Sequence, residues 1–193
     1  MNEIVPVIHL LSGGIDSTVM LYDLRNQNHP VHCLLVDYGQ AHAAQELSSA
    51  KKTCKKLDVM FTELKFPTIN GSTLTNGMGS NIVPNRNAIL ISYAVAVAIN
   101  AKALMVTYAC NADDAKNFPD CSPVFFNAMR NAVLYAETGI ELRAPYLHIT
   151  KKEICTIGNN LNVPLLETWS CYQGGITPCG KCDACIKRKE ALL

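Results

Sequence analysis

The chain passes from an apolar run at residues 5–11 into Ser12-Gly13-Gly14-Ile15-Asp16-Ser17, and from there into a helical pattern at about residues 17–25. This succession of strand, glycine turn and helix constrains the fold more than any other feature. It places free backbone N–H groups and a helix N-terminus at the end of a buried strand, where an anion can be surrounded. The glycines let phosphate oxygens approach the main chain closely. Ser12 and Ser17 add hydroxyl donors, whereas the Asp16 carboxylate cannot face phosphate favourably and is suited to holding a Mg²⁺ that does. The arrangement suits pyrophosphate. The spacing matches neither G-x-x-x-x-G-K-[ST] nor G-x-G-x-x-G, so neither phosphoryl-transfer nor dinucleotide chemistry is indicated. A Ser/Gly turn that merely caps a helix is the alternative reading of the same residues.

Further along, residues 31–36 read as a second buried strand leading into Asp37-Tyr38-Gly39, and an Ala/Gln/Glu/Lys-rich helix follows at 41–57. Residues 59–64 are a third strand candidate. At 67–85 the composition shifts to Asn, Gly, Ser, Thr and Pro, which marks a surface loop and a candidate lid. A largely buried helix is expected at 88–100, a strand at 103–108, a helix at 123–137 and a short strand at 141–144. Thr150 with Glu153 three residues later predicts a capped helix. Strands alternating with helices imply an α/β fold, a doubly wound and mainly parallel sheet covered on both faces, with ligands beyond the carboxyl ends of the strands. A chain of 193 residues suits one compact domain, residues 1–165, with a small appendage at 166–193.

Lys+Arg number 17 against Asp+Glu 16, so the net charge of +1 provides no basic field for polynucleotide phosphate and favours a small-molecule substrate. The first residues lack the basic start and apolar stretch of a secretory signal, and the apolar run at 88–98 is too short to span a bilayer. A cytoplasmic protein without membrane attachment is expected. Nine cysteines, an odd number with four clustered late, point to metal rather than disulfides. Cys171, Cys179, Cys182 and Cys185 follow C-x₇-C-x₂-C-x₂-C, with Gly180 permitting a tight turn. Four thiolates close a tetrahedral structural Zn²⁺ shell, with an iron–sulfur cluster as the main competitor. Cys33, Cys54, Cys110 and Cys155 read as small core residues. Lys187-Arg188-Lys189 reads as a solvated helix end.

The hexapeptide Ser12 to Ser17 resembles the S-G-G-x-D-S loop of PP-loop ATP pyrophosphatases, which bind ATP, adenylate a substrate and leave pyrophosphate in the loop. The wider set is more specific. Asp37-Tyr38-Gly39-Gln40 with His42, Pro84-Asn85-Arg86-Asn87, Pro119-Asp120-Cys121 and Glu167-Thr168-Trp169-Ser170-Cys171-Tyr172 follow in order over nearly the whole chain. Together they resemble the QueC family, the 7-cyano-7-deazaguanine (preQ0) synthases.

The resemblance implies a sheet of PP-loop ATPase type and a carbon–nitrogen ligase that converts 7-carboxy-7-deazaguanine, ATP and ammonia to the amide and then the nitrile, releasing AMP and pyrophosphate. It implies structural Zn²⁺, Mg²⁺ with ATP, and a homodimer. It assigns Asp37, Tyr38 and Gly39, with Ser12, Gly13, Gly14, Asp16 and Ser17, to ATP and pyrophosphate. Arg86 would neutralise a substrate carboxylate or phosphate, and Lys151 would pair with phosphate; with Asp16 these are the catalytic candidates. Arg86, Asn87, Asp113, Asp120 and Cys121 are the candidates for holding the deazapurine, with Asp114 and Glu167 as nearby carboxylates. His42 is read as a structural residue. Asn85 stands where the family usually has glycine, Tyr108 or its neighbour replaces another glycine, and Ser122 replaces an arginine. These departures surround the base pocket and leave the ATP loop intact, so amide formation is expected and the nitrile step is the one they expose. An RNA-thiolating PP-loop enzyme and a non-catalytic zinc-ribbon module that binds nucleic acid are the competing functions; the near-neutral charge disfavours a polynucleotide partner.

Overall fold

The computed structural model describes residues 3–76 and 80–193. Five parallel strands form one sheet in the order β3-β2-β1-β4-β5: β1 (Val7–Leu10), β2 (Val31–Asp37), β3 (Met60–Lys65), β4 (Met105–Thr107) and β5 (Glu141–Arg143). Between them run α1 (Ile15–Asn26), α2 (Ala43–Leu57), α3 (Arg86–Asn100) and α4 (Pro123–Tyr135), followed by α5 (Lys151–Asn160) and α6 (Asp183–Leu192). The chain leaves β1 toward β2 and β3 on one side and returns to β4 and β5 on the other. The carboxyl ends of β1 and β4 therefore flank a switch point, the crevice in which open α/β sheets bind ligands.

The strands are apolar on both faces because both are covered. Ile8, Leu34, Val106 and Leu142 pack against Ile91, Ala94, Val95 and Ala98 of α3 and Val133 of α4. On the opposite face Val7 and Met105 meet α1 and α5, while Cys33 and Leu35 meet Leu21 of α1 and Ala50 and Cys54 of α2. Each fully buried aliphatic side chain contributes on the order of 1.5–3 kcal/mol. Cys33, Cys54, Cys110 and Cys155 are all buried, as small core residues should be.

Two expectations need correction. The helix at 88–100 is not largely buried: Ile89, Tyr93 and Ile99 are 38%, 42% and 48% exposed, because only one side of α3 lies on the sheet. Lys187-Arg188-Lys189 is not a solvated helix end. Arg188 donates to the Leu165 carbonyl at 2.7 Å, to Thr168 Oγ1 at 2.6 Å and to Ser170 Oγ at 3.3 Å, and Lys187 Nζ lies 3.7 Å from Asp114 Oδ1. Residues 165–170 and Asp114 supply these acceptors, and of the three only Lys189 is exposed.

The candidate lid at 67–85 contains residues 77–79, which lie outside the described residues, as do Met1 and Asn2. In its described parts Leu74 and Val83 are buried against Tyr38, and Ala41 N–H donates to the Leu74 carbonyl at 2.8 Å. This segment thus covers the turn that follows β2.

Candidate active site and metal centre

At the end of β1 the loop wraps its hydroxyls inward. Ser12 N–H donates to Ser17 Oγ at 3.2 Å, the two hydroxyls are 3.0 Å apart, and Gly14 N–H donates to Ser12 Oγ at 3.2 Å. Gly13 has φ +81, and a Cβ there would lie 2.5 Å from the Glu46 carbonyl oxygen, so glycine is what lets the loop seat on α2. Asp16 opens α1. Its Oδ2 accepts from Lys151 Nζ at 2.6 Å and from Asn111 Nδ2 at 3.2 Å, while its Oδ1 is buried without a hydrogen-bond partner among the described residues. An unpartnered hard oxygen beside an anion loop is a fitting donor for Mg²⁺ carried by a nucleotide.

Lys151 reaches this point because the capping box at Thr150 fixes the start of α5: Thr150 Oγ1 accepts Glu153 N–H at 3.3 Å, and Glu153 Oε2 accepts Thr150 N–H at 2.7 Å. Burial works against the ammonium charge, but Asp16 and Asp114 outweigh it and hold its pKa above the usual lysine value. Asn111, fully buried, ties the group together. Its Nδ2 also donates to Asp114 Oδ2 at 2.9 Å, and its Oδ1 accepts the N–H groups of Asp113 and Asp114 at 2.9 Å each. Burial pushes the Asp114 carboxyl up from its ordinary pKa.

A cavity of about 230 Å³ runs from Ser12, Asp16 and Ser17 to Tyr38, Glu46, Arg86 and Asn87, with Leu10, Leu34, Ile91, Tyr108 and Phe118 among its walls. Arg86 begins α3, donates to Tyr38 Oη at 3.2 Å and stacks 5.7 Å from the Tyr38 ring. It is a cavity residue and not a solvated loop charge. Asn87 Nδ2 donates to the Asp120 carbonyl at 3.0 Å and to Cys121 Sγ at 3.5 Å, and Asn87 N–H donates to Asp120 Oδ2 at 3.3 Å. Asp120 therefore backs the cavity through Asn87, whereas Cys121 lines it.

Other candidates lie elsewhere. Asp37 Oδ1 accepts Gly39 N–H at 2.9 Å, and Gly39 has φ +88 with Thr68 too close for any Cβ; the two shape the turn that presents Tyr38. Asp113 accepts Lys151 N–H at 3.0 Å and pairs with Lys116, so its carboxyl, held below the usual range first by that backbone bond, does not join the cavity; Asp114 does. Glu167 is exposed, and its carbonyl accepts Ser49 Oγ of α2 at 3.0 Å, the same hydroxyl that donates to the Gly13 carbonyl at 3.0 Å. Sequence reasoning passed over Asn111 and Glu46. Position after the end of β4 was the available signal for the first, and the one-turn spacing from His42 for the second.

Cys171, Cys179, Cys182 and Cys185 bring their sulfurs within 4.8 Å of one another. That set fits a tetrahedral metal ion such as zinc, whose thiolate bonds are about 2.3 Å long. Backbone N–H groups of Gln173 and Cys179 point at Cys171 Sγ at 3.4 and 3.3 Å, and that of Cys182 at Cys179 Sγ at 3.4 Å, favouring thiolates. The backbone N–H groups of Lys181 and Cys182 bring the Cys179 thiol down to about 6. The centre is joined to the anion loop: Trp169 N–H donates to the Gly13 carbonyl at 2.9 Å, and Tyr172 lines the cavity.

A doubly wound parallel sheet with an S-G-G-x-D-S loop at the end of its first strand defines a protein of the PP-loop class. The fold is that of the U34-tRNA thiolase NcsA from Methanococcus maripaludis, solved with its [4Fe-4S] cluster, at a TM-score of 0.56 and 20% identity over 97% of this chain and 63% of that one. The family model described as queuosine biosynthesis protein QueC matches residues 6–193, and the chain belongs to that family. It is 38% identical over 200 residues to the 7-cyano-7-deazaguanine synthase of Caldicellulosiruptor saccharolyticus, covering 95% of this chain and 88% of the relative. It is 39% identical over 203 residues to that of Pseudoalteromonas translucida, covering 96% and 93%.

Proposed function

We propose that this protein is an ATP-dependent carbon–nitrogen ligase that adenylates 7-carboxy-7-deazaguanine and joins it to ammonia, giving the amide and, after a second adenylation, 7-cyano-7-deazaguanine. The observation that carries this reading is the single cavity linking the Ser12 to Ser17 loop with Arg86 and Asn87, in a chain whose relatives bear the synthase name. The loop N–H groups and hydroxyls would hold the pyrophosphate that leaves. Asp16 would offer Oδ1 to Mg²⁺, and Lys151 would turn from Asp16 toward phosphate. Arg86, held firmly protonated, would take the substrate carboxylate. The purine-like ring would lie between Tyr38, Tyr108 and the aliphatic wall, with Asn87, backed by Asp120, and Cys121 at its edge.

The three departures from the family pattern bear on the second step unequally. Asn85 has φ +54, a left-handed position that glycine favours and asparagine tolerates, so the substitution is compatible with the backbone here. Ser122 caps α4, accepting Phe125 N–H at 3.2 Å. Only Tyr108 alters the cavity, where its hydroxyl is buried without a hydrogen-bond partner among the described residues. The zinc of the four-cysteine centre would hold the C-terminal segment against the anion loop. The exposed side of α3, with Ile89 and with Tyr93 packed edge-on to Phe66 at 5.2 Å, would be the contact of a homodimer.

Enzyme incubated with the acid, ATP and ammonium, with masses followed in time, tests the reading. Nitrile formed with two ATP cleaved to AMP and pyrophosphate per product is the expected result. Amide accumulating at one ATP each would confine the activity to the first step, and ADP with phosphate would overturn the mechanism.

A further inference from the structure

We infer that Glu46 is a catalytic residue that receives the nitrogen nucleophile as ammonium and takes its first proton. The inference rests on the ligase reading above and concerns the same cavity. Glu46 projects from α2 into the cavity with a side chain 17% exposed, directly behind the anion loop, since the Glu46 carbonyl is the atom that a Gly13 Cβ would strike. Its Oε2 is fixed by Gln40 Nε2 at 3.0 Å. Gln40 is itself immobile, because its Oε1 accepts Tyr38 N–H at 2.9 Å and its Nε2 also donates to the Val36 carbonyl at 3.2 Å. Among the described residues Oε1 accepts no hydrogen bond and lies 3.6 Å from His42 Nε2. The neighbouring Arg86 is engaged with Tyr38 and Asn87 instead.

A buried carboxylate with one oxygen tied by Gln40 and the other, beside His42, without a hydrogen bond suits a small cation with several N–H donors. The edge of a purine-like base, with paired N–H groups, needs both carboxylate oxygens, so ammonium is the better match. Burial raises the Glu46 pKa, which improves it as a proton acceptor. In the reaction Glu46 takes one proton from ammonium, and the freed lone pair forms a C–N bond to the acyl carbon of the acyl adenylate. The C–O bond to AMP breaks with its electron pair passing to the phosphate oxygen, which accepts the surplus proton from the new C–NH₃⁺ group. Glu46 gives its own proton to water as products leave.

The test compares ammonium with hydroxylamine, whose nitrogen is already unprotonated near neutral pH, in wild type, Glu46→Gln and Glu46→Asp. For Glu46→Gln, kcat/KM for ammonium should fall by about 10²-fold with hydroxamate formation changed by less than about 3-fold, and Glu46→Asp should recover part of the ammonium rate. Acid-dependent ATP–pyrophosphate exchange, run without any amine, reads adenylation separately. Its absence in wild type would remove the ligase reading itself. Equal losses with both amines, or a raised KM for the acid alone, would overturn the role given to Glu46 and make it a structural or base-reading residue. A melting curve for each variant identifies loss by misfolding, in which case equal ammonium and hydroxylamine dependence in Glu46→Asp relative to wild type decides against the proposal.

Discussion

At the residue scale, Asp16 and Lys151 make a 2.6 Å ion pair with side chains only 14% and 17% exposed, and the proposed function gives each a second task once ATP binds. Removing one partner of such a pair leaves the other charge buried, a loss of about 3–5 kcal/mol where compensation is absent. Asp114 partly compensates Lys151, so Asp16→Asn should destabilise by less than that range while reducing acid-dependent ATP–pyrophosphate exchange by about 10²-fold or more. The double variant Asp16→Asn with Lys151→Met separates the two effects: chemical denaturation should show stability regained, and exchange should stay absent. Exchange surviving in the double variant would take Asp16 and Lys151 out of the nucleotide site. Asp16 was legible from the loop motif alone. Its partner Asn111 was not, because a lone asparagine in a polar stretch shows no periodicity and acquires meaning only when α5 brings Lys151 to the same point.

Whole elements carry the site through their ends. The first residues of α1 and α3 supply Asp16 and Arg86 to the cavity, and that of α5 supplies Lys151 to Asp16, so helix starts set the geometry of the site. Thr150→Ala should cost about 1 kcal/mol in stability by removing the cap, and should raise KM for ATP because the first turn of α5, with Lys151, is released. Unchanged ATP kinetics in a destabilised Thr150→Ala variant would count against the phosphate role of Lys151. The four-cysteine segment acts in the same way from the other side, through Trp169, Tyr172 and Arg188. Purified protein should hold about one zinc per chain and be colourless, and Cys182→Ser should lower the melting temperature and zinc content together. Visible charge-transfer absorption with stoichiometric iron would replace zinc by a cluster. Cysteine spacing announced this centre; that it braces the anion loop did not follow from spacing, since Gly13 and Trp169 are distant in sequence.

For the molecule as a whole, the outward side of α3 is the proposed dimer contact. Tyr93→Glu should convert a dimer to monomer in sedimentation or light scattering while the melting transition stays cooperative, because Tyr93 is 42% exposed and outside the core clusters. A monomeric wild type would remove the dimer. No helix among the described residues is long and apolar enough to cross a membrane.

The order of strands and helices, the anion loop, the cap at Thr150 and the cysteine centre were determined by sequence alone, because each rests on neighbours within one or two turns of chain or on a fixed ligand spacing. The exposure of α3 was misjudged, since an Ala- and Ile-rich helix has the same composition whether one side or all of it is covered. The convergence of Asp16, Asn111, Asp114, Lys151 and Lys187, and the facing of Glu46 into the cavity beside Arg86, were decided only in the tertiary structure. Those groups come from the ends of different strands and helices. A parallel sheet with its switch point between β1 and β4 brings such ends together whatever their separation along the chain.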